Sequence, residues 1–96
     1  MPLSAEYLAD ARAFGEQVRA LRKRRGWSQD QLIAESGHEI NKKTLQRVER
    51  GTMDGDPNTP ANTELRSLLA LCRVLGVKVV LDVNRPSGFV IEIVEV

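Results

Sequence analysis

The chain has one cysteine, one histidine, four aromatic residues and no long apolar run, and each shortage removes a class of function. Cys72 has no second cysteine with which to close a disulfide or share a zinc ion, so a reducing, cytoplasmic setting is expected, with Cys72 as packing in an apolar helix face. His38 stands alone, and no glycine-rich phosphate loop or cluster of metal ligands accompanies it. Nothing therefore pairs a nucleophile with its base or holds a metal or cofactor, and an enzyme is not expected. No stretch reaches the length that spans a bilayer, and Glu6 and Asp10 near the start do not fit a signal peptide. With only Tyr7, Phe14, Trp27 and Phe89 as aromatics, aliphatic side chains must fill the core, which suits packed helices. The 96 residues have room for one domain, which a partner subunit can complete.

What the chain does have is an uneven distribution of charge. The net charge is +1, yet residues 12–50 carry ten Lys and Arg against five acids, a balance of +5, whereas residues 52–96 come to −2. A basic half on a nearly neutral protein is the footprint of a domain that touches phosphates with one face; a solvated helix surface gives the same count.

Apolar residues at Leu8, Ala11, Phe14, Val18 and Leu21 have the spacing of an amphipathic helix over residues 5–25, ended by Gly26. Ser28-Gln29-Asp30-Gln31 then reads as a capping box, in which Ser28 accepts from the first turn and Gln31 reaches back to the Ser28 N–H. The second helix buries Leu32 and Ile33, runs to Ser36 and stops at Gly37. After a turn through His38, Glu39 and Ile40, Asn41 is a good cap for a third helix over residues 42–50, with Leu45 and Val48 inward and Gly51 at its end. Residues 52–59, rich in Gly, Asp, Pro and Asn, read as a loop. A fourth helix is expected from about Thr63 to Gly76, with Leu65, Leu68, Leu69, Leu71, Cys72 and Leu75 as its apolar residues. The period then changes from helical to alternating. Residues 77–83 and 89–96 read as two strands joined by a turn at Arg85-Pro86-Ser87-Gly88. Such a hairpin is marginal alone, so it must lie on the helices or pair with the same strands of a second subunit.

Two segments carry a resemblance: Leu21-Arg22-Lys23-Arg24-Arg25-Gly26-Trp27-Ser28-Gln29-Asp30-Gln31-Leu32 and Thr44-Leu45-Gln46-Arg47-Val48-Glu49-Arg50-Gly51. They resemble the Cro/C1-type (XRE family) helix-turn-helix proteins over roughly residues 14–77. The resemblance implies a mainly α, lambda-repressor-like four-helix domain over residues 1–76; the β-hairpin over residues 77–96, read from the change of period, is the expected dimerisation element. It also implies that the third helix enters the major groove of double-stranded DNA, where base edges carry a distinct donor and acceptor pattern. Matched to the motif, Lys42, Lys43, Thr44 and Arg47 are the outward positions, Asn41 opens the helix and Gln46 lies at the margin. Gln29, at the start of the second helix, is placed to position the phosphate backbone rather than to read sequence. Arg22 and Glu49 match a structural ion pair between the first and third helices.

One departure from the family pattern concerns the turn. Between Ser28 and Gly51 this chain has two residues more than usual, with His38 and Glu39 as the extra pair, so the approach angle of the third helix is open. A second departure is the strand pair where the family usually continues with a fifth helix. That tail resembles HipB-like antitoxins, which repress their own operon, dimerise through C-terminal strands and bind a HipA-like kinase toxin. The resemblance thus implies a bacterial or phage repressor of a palindromic operator, working as a homodimer, with or without a toxin partner. A protein-interaction module whose basic face is incidental is the alternative of another class.

Overall fold

Val18, Leu32, Ile40, Leu45 and Leu71 are sealed from solvent, and they come from five different segments of the chain. The core therefore sits where four helices and one turn meet, and each such side chain contributes about 1.5–3 kcal/mol through burial. A computed structural model describes residues 3–82 and 90–95. The chain order is α1 (Leu3–Arg24), α2 (Gln29–Glu35), α3 (Lys42–Arg50), β1 (Thr52–Met53), β2 (Asp56–Pro60), α4 (Leu65–Leu75), β3 (Val77–Asp82) and β4 (Val90–Glu95).

α1 is the spine of the domain: α3, β2 and β4 all lie against it. Phe14, Val18 and Leu21 turn one stripe of this helix inward, as the apolar spacing requires. Its start lies at Leu3, two residues earlier than the apolar pattern suggested. The capping box forms by half. Ser28 Oγ accepts from Gln31 N at 3.1 Å, but the Gln31 amide runs along the helix to donate to Glu35 Oε2 at 2.7 Å. Ser28 is exposed, where its N–H is open to solvent, so the second arm of the box has little to gain.

The longer turn between α2 and α3 is an ordered structure. His38 N donates to Ile33 O and Gly37 N to Ala34 O, both at 3.0 Å, which is the paired bonding of a Schellman end. Gly37 and His38 are both left-handed, at φ 70° and 62°, and the reversal drops Ile40 into the core. The turn thus makes two successive left-handed steps, and α3 starts from a cap of its own.

Residues 52–59 are not the loop that their composition indicated. β1 and β2 pair antiparallel, with Thr52 opposite Pro60 and Met53 opposite Asp56, so that Asp54-Gly55 becomes a two-residue turn. Aspartate followed by glycine is a strong hairpin signal, and here it outweighs the two prolines, Pro57 at an exposed position and Pro60 half-buried as the last residue of β2.

α4 begins at Leu65 rather than Thr63, because Glu64 is still extended and gives no side-chain cap. It buries Ala70, Leu71 and Leu75, while Leu65 and Leu69 are 69% and 55% exposed. Its last carbonyls accept from the turn after α1: Arg25 donates to Val74 O and Leu75 O and lies 5.2 Å from the Trp27 ring centroid. β3 and β4 pair in regular antiparallel register from Val77 opposite Glu95 to Asp82 opposite Val90. Val77 is buried and Val79 packs on the core, so the hairpin lies on the helices. The expected turn at Arg85 to Gly88, and the expected strand residues Val83, Phe89 and Val96, lie outside the described residues. No helix among those described is long and apolar enough to cross a membrane.

Candidate nucleic-acid interface

α3 is short, polar on most of its surface and fixed at both ends. Asn41 is extended and its Oδ1 accepts from Thr44 N at 2.7 Å, satisfying one of the first free N–H groups. At the other end Gly51 is left-handed, and its N–H reaches Arg47 O at 2.8 Å. A Cβ on Gly51 would lie 2.7 Å from Arg12 Cα, and a Cβ on Gly15 would overlap the Val48 carbonyl oxygen and lie 2.7 Å from that of Glu49. The backbones of α1 and α3 thus touch at two glycines, and the position of α3 is set by main-chain contact.

The ion pair adds a second constraint. Arg22 Nε donates to Glu49 Oε2 at 2.7 Å and Arg22 Nη2 to Glu49 Oε1 at 2.9 Å. Arg22 Nη1 donates to Trp27 O at 2.9 Å, so one guanidinium joins α1, α3 and the turn between α1 and α2. The side chains are only 10% and 6% exposed. Hydrogen bonding to Glu49 holds the Arg22 pKa above its ordinary value, against the opposing effect of burial. Gln29 Nε2 also donates to Glu49 Oε1, at 3.2 Å. One N–H of the Gln29 side-chain amide thus rests on the ion pair, holding the residue at the start of α2 beside α3.

With Leu45 and Val48 buried, a helix turning about 100° per residue directs Lys43, Gln46, Arg47 and Arg50 away from the core, with Lys42 at one flank. This corrects the sequence reading at three positions. Gln46 is exposed and central rather than marginal, forming a shallow groove with Arg19, Gln29 and Arg50. Thr44 is half-buried and turns toward the start of α4, lining a polar cleft with Asn62, Thr63 and Arg66. Arg50, which the motif marks only as the end of the helix, is exposed on this face too. Its offset from Lys43 is seven residues, nearly two full turns, and that spacing would have placed it on the same face.

The cations are not all at liberty. Lys42 Nζ pairs with Asp30 Oδ1 at 2.8 Å, an exposed contact worth about 0–1 kcal/mol. Arg47 and Arg50 both bond Asp54, in the β1–β2 turn, and Lys43 Nζ approaches it at 3.9 Å. Arg12 Nη2 donates to Pro57 O at 3.1 Å. Of the basic run from residue 22 to 25, Arg22 and Arg25 serve the fold, so the +5 of residues 12–50 overstates the charge offered to a partner. Among the described residues no group of His, Cys, Asp and Glu could hold a metal ion. Burial pushes the Cys72 thiol above its ordinary pKa, as for a cysteine packed at the edge of a core.

A family model described as a helix-turn-helix domain matches residues 13–81, from within α1 into β3. No curated protein and no solved structure matches the chain.

Proposed function

The chain belongs to the helix-turn-helix domain family, a DNA-binding kind, and from that membership we propose that it is a sequence-specific repressor that acts in the cytoplasm as a two-fold dimer. It works by binding, not by catalysis. The observation that carries this reading is the presentation of α3, capped at Asn41, touching α1 at Gly15 and Gly51, and tied by Arg22–Glu49, with one cationic and polar face outward. A helix fits the major groove, and Arg and Lys suit guanine O6 and N7. Lys42, Lys43 and Arg47 contact bases or their flanking phosphates; Gln46 and Arg50 share that surface.

The test begins by selecting a duplex from a random pool with the full-length protein. Replacing a base-reading Lys or Arg by Ala should then cost about 1–3 kcal/mol and relax one position of each half-site. Loss of a phosphate contact should instead weaken all sequences alike and flatten the salt dependence. A Lys42, Lys43 and Arg47 triple Ala variant that kept wild-type affinity and selectivity would remove α3 from the reading role.

Dimerisation rests on the hairpin. Among the described residues β3 and β4 pair only with each other, leaving an outer edge on each, and Val80 and Val94 are exposed on the sheet. Strand edges of this kind pair readily with a second copy. A two-fold dimer calls for a palindromic operator with half-sites about 34–36 Å apart or a multiple of a helical turn. Sedimentation of the full chain should give the dimer mass at micromolar concentration, and a monomer there would end this part of the proposal. The likeness of the tail to HipB-like antitoxins supports a more particular version, in which the repressor also neutralises a HipA-like kinase. A kinase-like reading frame beside this one, and co-purification with its product, are the expected signs.

A further inference from the structure

Three cations of α3 converge on one carboxylate. Asp54 Oδ2 accepts from Arg47 Nε at 3.2 Å and Arg47 Nη2 at 3.0 Å, and Asp54 Oδ1 accepts from Arg50 Nη2 at 2.6 Å. Lys43 Nζ lies 3.9 Å from Oδ2. Arg50 is held further by Thr52, through Nε to Oγ1 at 2.9 Å and Nη2 to the carbonyl at 3.2 Å. The carboxylate is 42% exposed, so it stands on the surface that α3 offers and not behind it. Arg50 first, and Arg47 with it, hold the Asp54 carboxyl below its ordinary pKa.

We infer that Asp54 sets the sequence selectivity of the α3 surface by acting as an internal stand-in for phosphate. The inference rests on the DNA-binding reading above. A carboxylate at this place has two consequences for a duplex. It offsets charge on Lys43, Arg47 and Arg50 that would otherwise release counterions from any phosphate backbone, and so it lowers the affinity common to all sequences. It also takes the Nε and Nη2 edge of Arg47 and leaves Nη1 uncommitted among the described residues. A guanidinium held along one edge is oriented before it meets a base, which reduces the ordering cost of a directional contact but does little for a diffuse one. The two effects act in the same direction, weaker binding at random and sharper binding at the right site.

Asp54→Asn keeps the shape and removes the charge, whereas Asp54→Glu keeps the charge. Each variant would be titrated with random-sequence duplexes and with the duplex selected by the wild type, across a salt series. Circular dichroism would establish that each is folded. For Asp54→Asn, random-duplex affinity should rise about tenfold and its log–log salt slope should steepen by about one to two phosphates. The ratio of selected to random affinity should fall at least as far. Asp54→Glu should stay within a few-fold of wild type in both. Unchanged random-duplex affinity and salt slope in Asp54→Asn, with the wild type binding normally, would overturn this inference and leave the DNA-binding reading standing. A wild type that binds neither duplex at low salt would overturn both. Should Asp54→Asn be unfolded, the same comparison with Asp54→Ser decides, because Asp54 lies in an exposed turn where a serine is tolerated.

Discussion

Arg22→Met or Glu49→Leu is expected to destabilise the fold by roughly 3–5 kcal/mol, because either change strands a buried charge. The bond is bidentate, the side chains are 10% and 6% exposed, and the third arm of the guanidinium is fixed on Trp27 O. Arg22 cannot turn out to water without giving up its bond to Trp27 O in the turn between α1 and α2. The double variant removes both charges together and should lose much less than the sum of the single losses. Urea unfolding of all four proteins measures the coupling. Additive losses below about 1 kcal/mol would mean that the pair behaves as a surface pair does. The functional consequence follows from Gln29, whose amide also rests on Glu49: Glu49→Leu frees it and loosens the join between α2 and α3.

Much of this arrangement was legible in the sequence where one residue type has a single mechanical use. Ser28, Asn41, Gly37, Gly51 and Gly76 mark helix ends, and the structure uses them so. The change of period at Val77 gave the last hairpin, since alternation is a local property of a strand. The hairpin of β1 and β2 was hidden because its composition is that of a loop, and two prolines obscured the Asp54-Gly55 signal. The outward face of α3 is blurred in the sequence for a different reason. Which side of a nine-residue helix faces outward depends on its rotation, and Leu45 and Val48 fix that rotation only to within about one residue's 100° step. Hence the pattern alone turns Thr44 outward and does not single out Arg50. Asp54 could not be found at all from α3, because its contacts join residues brought together by a turn read as irregular. The count of basic residues misled in the opposite sense, since Arg22 and Arg25 are indistinguishable from Lys23 in sequence yet have structural partners.

Gly15→Ala is expected to destabilise the protein by about 3 kcal/mol or more, at the top of the range for overpacking, although alanine is by far the better helix former. Gly15 lies mid-helix in α1, where helix propensity alone predicts a gain of about 1 kcal/mol from the added methyl. Packing predicts the reverse. The new Cβ would overlap the carbonyl oxygen of Val48 and crowd that of Glu49, and both are main-chain atoms that cannot rotate away as a side chain would. α3 must then shift outward from α1, which strains the Arg22–Glu49 bond and the second backbone contact, Gly51 against Arg12. Ala20→Gly, at an exposed position of the same helix, isolates the propensity effect and should cost about 1 kcal/mol. Thermal and urea unfolding would compare the two variants with the wild type. The DNA readout adds a signature that mere instability does not: under conditions where Gly15→Ala is still folded, the selected duplex should lose more affinity than random duplexes. Base contacts need α3 at one depth in the groove, whereas phosphate contacts tolerate a shift. A Gly15→Ala protein as stable as the wild type, with its selectivity intact, would mean that α1 and α3 are not in backbone contact and that something other than these two glycines sets the position of α3.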